Sequence, residues 1–241
     1  MRNLTRWLGV LMLLSCSVKA GVMVESSRVV FSADDRERSL MLSNSNDYPV
    51  VVQTWIDHGK PDGTPETAKD IPVMPLPGIF RLEPGEKKNL RLLATQIKQP
   101  QDRESLYWLN VYEIPPTDAH LPPGVAAVNV AVRLQLKMFF RPNNLKPDVD
   151  SLSQKQQFSI IRTPGVIAMK VLNPTPYYAT FSSAQVKGTA GSYPVDIGMI
   201  PPFGNKMIEI GSSANGQPES ISYTVINDDG NNVAGTKSLH P

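Results

Sequence analysis

The sequence predicts an all-β protein built from two immunoglobulin-like sandwich domains. Short apolar runs of alternating polarity recur between turn residues, and no segment keeps a helical period. About seven such runs precede residue 141, which is the strand number of one immunoglobulin-like sandwich. A stretch rich in proline and asparagine follows, and the alternating pattern then starts again.

The N-terminal residues 1–20 have the features of a cleaved secretory signal. Basic residues precede an apolar run at 7–14 that is too short to span a bilayer, and Val18-Lys19-Ala20 fits a small-residue cleavage site. We expect the exported, mature chain to begin at Gly21. An alternative interpretation makes Cys16 the lipidated residue of a lipoprotein, although the residues before it match a lipobox poorly.

The basic character of the chain resides largely in that signal. The formal net charge is +2, and loss of Arg2, Arg6 and Lys19 leaves −1, which favours no binding to nucleic acid. Cys16 is the only cysteine, so the mature domains must be stabilised by packed cores rather than by disulfides. About 220 mature residues are enough for two such cores. No later segment is apolar enough for stable insertion into a membrane.

The N-terminal domain is expected at residues 21–143. Its strands are predicted at 22–31, 38–42, 49–57, 88–93, 105–112 and 127–140. Trp55 is expected in the core. Glu83-Pro84-Gly85-Glu86 predicts a type II turn, because proline sets φ at the second position and glycine accepts a positive φ at the third. Residues 57–77 are interpreted as a long surface connection because they are rich in Pro, Gly and Asp.

A second, smaller β domain is expected at residues 146–241. The two prolines and two asparagines of 141–147 interrupt any strand and make this segment the predicted linker. Strands are predicted at 158–161, 166–172, 177–186, 206–210 and 220–226.

The sequence offers little that would support catalysis. His58, His120 and His240 are far apart, and none has the spacing of a metal ligand set. No nucleophile elbow, P-loop or dinucleotide-binding motif is present. We therefore predict that the protein is not an enzyme and uses no metal or cofactor.

An alternating apolar row is the most informative pattern in the chain. Its members lie at every other position of the longest predicted strand: Val128, Val130, Val132, Leu134 and Leu136. Residues at every other position of a strand project from the same face, so the row occupies one face. It is either the core face of its own domain or a surface offered to another protein, and the pattern alone leaves both alternatives open.

Several segments of the chain form specific motifs. They are Ser27-Arg28-Val29-Val30-Phe31, the run 102–116 (DRESLYWLNVYEIPP), the run 136–142 (LKMFFRP), and the C-terminal segments 173–178, 200–203 and 226–228. These segments resemble those of the periplasmic pilus chaperones. Together they cover essentially the whole mature chain. The resemblance implies two immunoglobulin-like domains in a boomerang arrangement with a cleft between them.

The resemblance also implies a function and partners. Such chaperones bind fimbrial (pilin) subunits in the periplasm by donor-strand complementation, in which the chaperone lends a strand to an incomplete subunit. They pass the subunit to an outer-membrane usher. Weak self-association of the free protein is expected, because an exposed apolar edge tends to find a partner.

The resemblance assigns roles to individual residues. Arg28 and Lys137 would anchor the C-terminal carboxylate of the subunit. The donor strand would present four of the row residues, namely Val128, Val130, Val132 and Leu134. A buried charge network between the domains would consist of Glu104, Arg141 and Asp228. Because Lys137 has the opposite parity to the row, we expect a bulge or strong twist between Arg133 and Lys137.

Two features refine the assignment. The predicted loop at 115–125 is short and the mature chain lacks a cysteine pair, as in the short-loop class of these chaperones. Asp229 and Asn231 depart from the usual turn of the family, so the packing around Asp228 is less well predicted than its charge. The competing hypotheses are an exported two-domain adhesion or ligand-binding module and, with least support, a hydrolase.

Overall fold

A computed structural model describes residues 21–117, 130–163, 166–211 and 217–239 of the chain. Two sandwiches are present, each with its own cluster of buried apolar side chains. Helix in the described residues is limited to one α-helical turn, Leu152–Lys155, and two 3-10 turns, Pro65–Thr67 and Val149–Ser151. The predicted all-β, two-domain fold class is confirmed. The predicted domain limits at 143 and 146 stay a prediction.

The described part of the N-terminal sandwich has nine strands in two sheets. They are β1 Val22–Val24, β2 Arg28–Ser32, β3 Glu37–Asn44, β4 Val50–Asp57, β5 Val73–Leu76, β6 Ile79–Leu82, β7 Lys87–Ala94, β8 Ser105–Ile114 and β9 Val132–Arg141. One sheet has the order β1-β3-β7-β5 and the other β2-β9-β8-β4-β6. The fully buried side chains between them include Phe31, Leu42 and Leu109, which come from both sheets.

The first predicted strand is in fact two strands that belong to different sheets. β1 pairs antiparallel with β3, whereas β2 pairs parallel with β9. Between them the Ser26 hydroxyl donates to the Arg28 carbonyl at 2.6 Å. This switch of sheet brings Arg28 next to the C-terminal half of the long strand β9.

The interpretation of residues 57–77 as a surface connection was wrong in part. β5 lies inside this segment and pairs with β7, and Val73 is buried. Pro75 lies in β5, which is the last strand of its sheet, and an edge strand tolerates proline because one side needs no ladder hydrogen bond. The predicted turn at 83–86 is confirmed: the Glu86 amide donates to the Glu83 carbonyl at 3.0 Å, and Gly85 has φ of +72°.

The C-terminal sandwich contains eight strands in its described part. They are β10 Gln157–Thr163, β11 Val166–Leu172, β12 Ala179–Gly188, β13 Gly191–Pro194, β14 Met199–Ile200, β15 Asn205–Gly211, β16 Pro218–Ile226 and β17 Asn232–Ser238. One sheet has the order β10-β11-β15, and the other β13-β12-β16-β17 with β14 also paired to β12. β17 was not predicted, because its residues lack a strong apolar alternation.

The two domains contact each other along one side of β8 and β9. The Glu104 amide donates to the Pro176 carbonyl at 2.9 Å, and the rings of Phe139 and Tyr178 lie 5.7 Å apart. These contacts place the ends of β2 and β9 against the C-terminal domain. Within the described ranges, no helix is both long and apolar enough to cross a membrane.

Candidate functional site

Strand β9 has two halves with different neighbours. From Lys137 to Arg141 it lies between β8 and β2. From Val132 to Leu136 it pairs with β8 alone among the described strands. The backbone of this first half therefore has one unpaired edge, which is the kind of edge to which another strand can be added.

The alternating row is part core and part exposed surface, so each of the two alternatives applies to one part of it. Leu136 is 3% exposed and belongs to the core of its own domain. Exposure rises along the row, to 39% at Leu134, 52% at Val132 and 66% at Val130. Val128 lies outside the described residues. The row is thus core at its C-terminal end and an exposed apolar surface toward its N-terminal end.

No bulge lies between Arg133 and Lys137, so this form of the expected irregularity was wrong. Pairing between β8 and β9 runs without a register shift from Glu113–Val132 to Ser105–Phe140. Lys137 and the valines therefore project from opposite faces of one regular strand. A strand added along the free edge would have side chains on both faces, so one partner can reach both groups without a bulge.

Arg28 and Lys137 are direct neighbours, since they are paired residues of the parallel strands β2 and β9. Both side chains reach across to the C-terminal domain. Arg28 Nη1 donates to the Ile226 carbonyl at 3.3 Å, and Lys137 Nζ lies 3.5 Å from Thr180 Oγ1. Phe139 and Trp108 rings lie beside the two cations, at 6.0 Å from Arg28 Cζ and 5.9 Å from Lys137 Nζ.

This pair of cations is partly withdrawn from solvent without a matching carboxylate. Arg28 is 7% exposed and its Nε has no hydrogen-bond partner, while Lys137 is half-buried. Within the described residues, neither side chain has a carboxylate oxygen within 4.0 Å. Burial lowers the pKa of Arg28, although Asp228 and Glu104 oppose this shift. Burial, followed by the charge of Arg28, also lowers the pKa of Lys137. An anion placed here would gain two cationic donors.

The side chains of the predicted inter-domain charge network form short ion pairs. Arg141 Nε contacts Glu104 Oε1 at 2.7 Å, and its two terminal nitrogens bind both carboxylate oxygens of Asp228 at 2.6 and 2.7 Å. Glu104 is buried and also accepts the Tyr178 amide at 2.8 Å. The network therefore joins the start of β8, the end of β9 and the turn after β16.

Electrostatics of the network are dominated by burial and by ion pairing. Burial acts to lower the pKa of Arg141, but hydrogen bonds and charges of Asp228 and Glu104 outweigh it and raise the pKa above its ordinary value. The less well predicted turn around Asp228 is closed by Asn227, whose carbonyl accepts the Gly230 amide at 3.1 Å and whose side chain accepts the Asn231 amide at 2.8 Å.

Some residues of the cleft were not identified from the sequence. Thr180 and Tyr178 come from the C-terminal domain, and no sequence spacing connects them with β9. Trp55 is buried as predicted, but it lies on the face of its sheet that carries Tyr112 and Arg133, outside the main core cluster. In the described parts of the chain, no group of three or more His, Cys, Asp or Glu side chains is placed to hold a metal ion.

Comparison with known protein families identifies both domains. Residues 21–146 match the N-terminal domain of the PapD pili and flagellar-assembly chaperones, and residues 153–237 match the C-terminal domain of the PapD pili assembly chaperones. The chain belongs to this family of pilus assembly chaperones. The family resemblance stated from the sequence is therefore confirmed.

Individual relatives agree with this family. The probable fimbrial chaperone YadV of Escherichia coli K12 is 30% identical over 232 residues, which covers 95% of this chain and 94% of YadV. The crystal structure of the Pseudomonas aeruginosa CupB2 chaperone aligns with a TM-score of 0.75 and 33% identity, over 90% of this chain and 100% of CupB2. The SafB chaperone, solved in complex with the Salmonella enterica SafA pilin, is also similar, with a TM-score of 0.73 and 26% identity over 92% of this chain and 99% of the matched chain.

Proposed function

We propose that this protein binds fimbrial subunits in the periplasm by donor-strand complementation and delivers them to an outer-membrane usher. The subunit would pair with the free edge of β9, receive the exposed valines in its groove, and place its C-terminal carboxylate between Arg28 and Lys137. Glu104, Arg141 and Asp228 would hold the two domains in the orientation that forms the cleft. The protein would act by binding alone, without catalysis.

One observation carries this proposal. Two adjacent cations, one buried and one half-buried, lack a carboxylate partner among the described residues and lie where the unpaired edge of β9 meets the cleft. Isolated buried charges are costly, so proteins normally pair them. A partner with a strand to pair and a terminal carboxylate to anchor would satisfy both features at once.

The carboxylate anchor and the valines would each contribute several kcal/mol to such a complex before the cost of association is subtracted. Each charge-assisted hydrogen bond to a carboxylate contributes about 1.5–3 kcal/mol. Full burial of one valine contributes roughly 1.5–3 kcal/mol. The carboxylate fixes the position of the subunit along the strand, and the valines add most of the buried apolar area. A SafB chaperone–SafA pilin complex among the similar structures supports a pilin as the partner.

The proposal that the protein is exported to the periplasm depends on the predicted signal at residues 1–20. These residues lie outside the described part of the chain. A similar structure, that of SfaE, is a periplasmic chaperone, with 25% identity and a TM-score of 0.66. The usher, the absence of catalysis and signal cleavage are parts of the proposal and are supported by family membership.

The test is capture of a subunit. Fimbrial subunits from the same genome are co-expressed in turn, and at least one should co-purify from the periplasm with the wild-type protein. Arg28→Ala and Lys137→Ala should each reduce the captured pilin by at least about tenfold, because each removes a charge-assisted hydrogen bond.

A matched control uses a cation outside the cleft. Arg91 forms an exposed ion pair with Glu37 at 2.6 Å on the other sheet, and Arg91→Ala should capture pilin normally. Circular dichroism must show that all variants are folded. Pilin capture by both cleft variants at the wild-type level would refute the carboxylate anchor, and failure of the wild type would refute the proposed function.

A further inference from the structure

A buried polar cluster lies beneath the first half of β9, on the face opposite the valines. Its centre is the Asp57 carboxylate at the end of β4. Asp57 Oδ2 accepts hydrogen bonds from Trp55 Nε1 at 2.8 Å and from Asn110 Nδ2 at 2.9 Å, and Asp57 Oδ1 accepts the Gly59 amide at 2.7 Å. This carboxylate thus ties the loop after β4 to the neighbouring strand β8.

Arg133 joins β9 to that cluster with all three guanidinium nitrogens. Its Nη2 binds Asp57 Oδ2 at 3.0 Å, its Nε donates to Asn110 Oδ1 at 2.8 Å, and its Nη1 donates to the Pro61 carbonyl at 2.9 Å. The guanidinium also lies over the Trp55 ring, 4.8 Å from its centroid. Three hydrogen bonds and the contact with the Trp55 ring fix the side chain far better than a single surface ion pair would.

The position of Arg133 in the strand gives these bonds their importance. It lies between Val132 and Leu134, whose side chains are exposed and contribute little to the core. The backbone here has β8 as its only described neighbour. A strand with one partner and exposed side chains is expected to open locally at little cost. Gln135 adds one more bond to Asn110, at 2.9 Å, on the same face as Arg133.

We propose that Arg133 is a positioning residue, which holds the first half of β9 in extended form so that its free edge is ready to pair. This inference rests on the proposed function, because it assigns a purpose to the same edge. The guanidinium contacts described above are all to residues of this chain. Arg133 acts on the backbone of Val132 and Leu134. It holds this backbone against Asp57 and the loop that follows β4.

The first test measures the free protein by hydrogen exchange. In Arg133→Leu, peptides covering 130–136 should lose almost all of their protection, because the ordered form of this half falls to about a tenth of the population. Peptides covering 137–141, which lie between β2 and β8, should keep wild-type protection. An exchange change confined to the loop at 58–66, with 130–136 unaltered, would overturn the proposal and leave Arg133 as a loop anchor.

The second test measures the rate of capture. A denatured fimbrial subunit from the same genome is diluted into chaperone, and association and dissociation are followed separately. Arg133→Leu should slow association by about tenfold, because only the ordered fraction of the edge binds, while dissociation changes little. Unchanged association would refute the positioning role. Failure of the wild type to capture pilin would instead count against the proposed function, and the exchange result would still decide whether Arg133 orders the strand.

Two further variants guard against simple misfolding. Arg133→Leu leaves the buried Asp57 carboxylate without its cation, so the double variant Asp57→Asn/Arg133→Leu removes both charges together. It should show the same local loss of protection. Arg133→Lys keeps the charge but not the three-nitrogen geometry, and should restore only part of the capture rate. Arg91→Leu is the matched control and should behave as wild type in both tests.

Discussion

The inter-domain region contains Arg141 and a separate pair of cations, Arg28 and Lys137. Arg141 and this pair differ in their partners. Arg141 is bonded to the carboxylates of Glu104 and Asp228. Arg28 and Lys137 have no carboxylate within ion-pair distance among the described residues. Both groups connect the domains, because Arg28 and Lys137 also reach Ile226 and Thr180.

The difference separates residues that hold the molecule together from residues that are free to bind a partner. A buried ion pair with satisfied hydrogen bonds is costly to break, since removal of one member leaves the other unpaired. For a buried cation without such a partner, the desolvation cost offsets the hydrogen bonds that it makes, so its removal is expected to change stability little. This difference agrees with the proposed roles, in which Arg141 holds the domains and Arg28 and Lys137 bind the subunit.

The largest expected effect on stability follows from breaking the ion pairs of Arg141. Glu104→Leu should lower the free energy of unfolding by about 3–5 kcal/mol, because Arg141 loses a buried carboxylate and the Tyr178 amide loses its acceptor. Urea denaturation measures this change, and small-angle X-ray scattering should show a broader range of inter-domain angles. A loss of less than about 1 kcal/mol would mean that the network is no more than a surface ion pair.

A smaller effect is expected when the unpaired group is altered. Arg28→Met should leave the free energy of unfolding within about 1 kcal/mol of wild type, because the variant loses one long hydrogen bond but also an unsatisfied buried donor. The same urea measurement decides the point. A loss as large as that of Glu104→Leu would remove the distinction between the two groups and make Arg28 a structural residue.

The remaining expected effect concerns the pH dependence of binding. Lys137 has its pKa lowered by burial and by Arg28, so in the free protein it loses its charge at a lower pH than an ordinary lysine. A bound carboxylate favours the charged form. Affinity for the pilin should therefore be constant below the lowered pKa and fall by up to about tenfold per pH unit above it.

Lys137→Arg provides the comparison for that measurement, because arginine keeps its charge over the accessible range. Pilin affinity of this variant should stay constant where that of wild type falls, as measured by titration between neutral and alkaline pH. Parallel behaviour of the two proteins would show that deprotonation of Lys137 does not govern binding.

Much of the site could be predicted from the sequence because its residues lie in long, specific segments. Their resemblance to the pilus chaperones predicts roles for Arg28, Lys137, Glu104, Arg141 and Asp228, and the fold brings all five to one side of β8 and β9. The bulge in β9 was predicted wrongly. The error came from treating one face of the strand as the binding surface, whereas an added strand contacts an edge and hence both faces.

The sequence by itself determined the fold class, the two-domain arrangement and the family, because alternating polarity and turn residues are local properties and the matching segments are contiguous. Only the tertiary structure decided which part of the apolar row is core and which part is free. Leu136 and Val132 have the same parity and similar apolar chemistry, but one lies over the core and the other extends past it. The Arg133 cluster likewise depends on three strands and a loop that pairing brings together, and no pattern along one segment records that proximity.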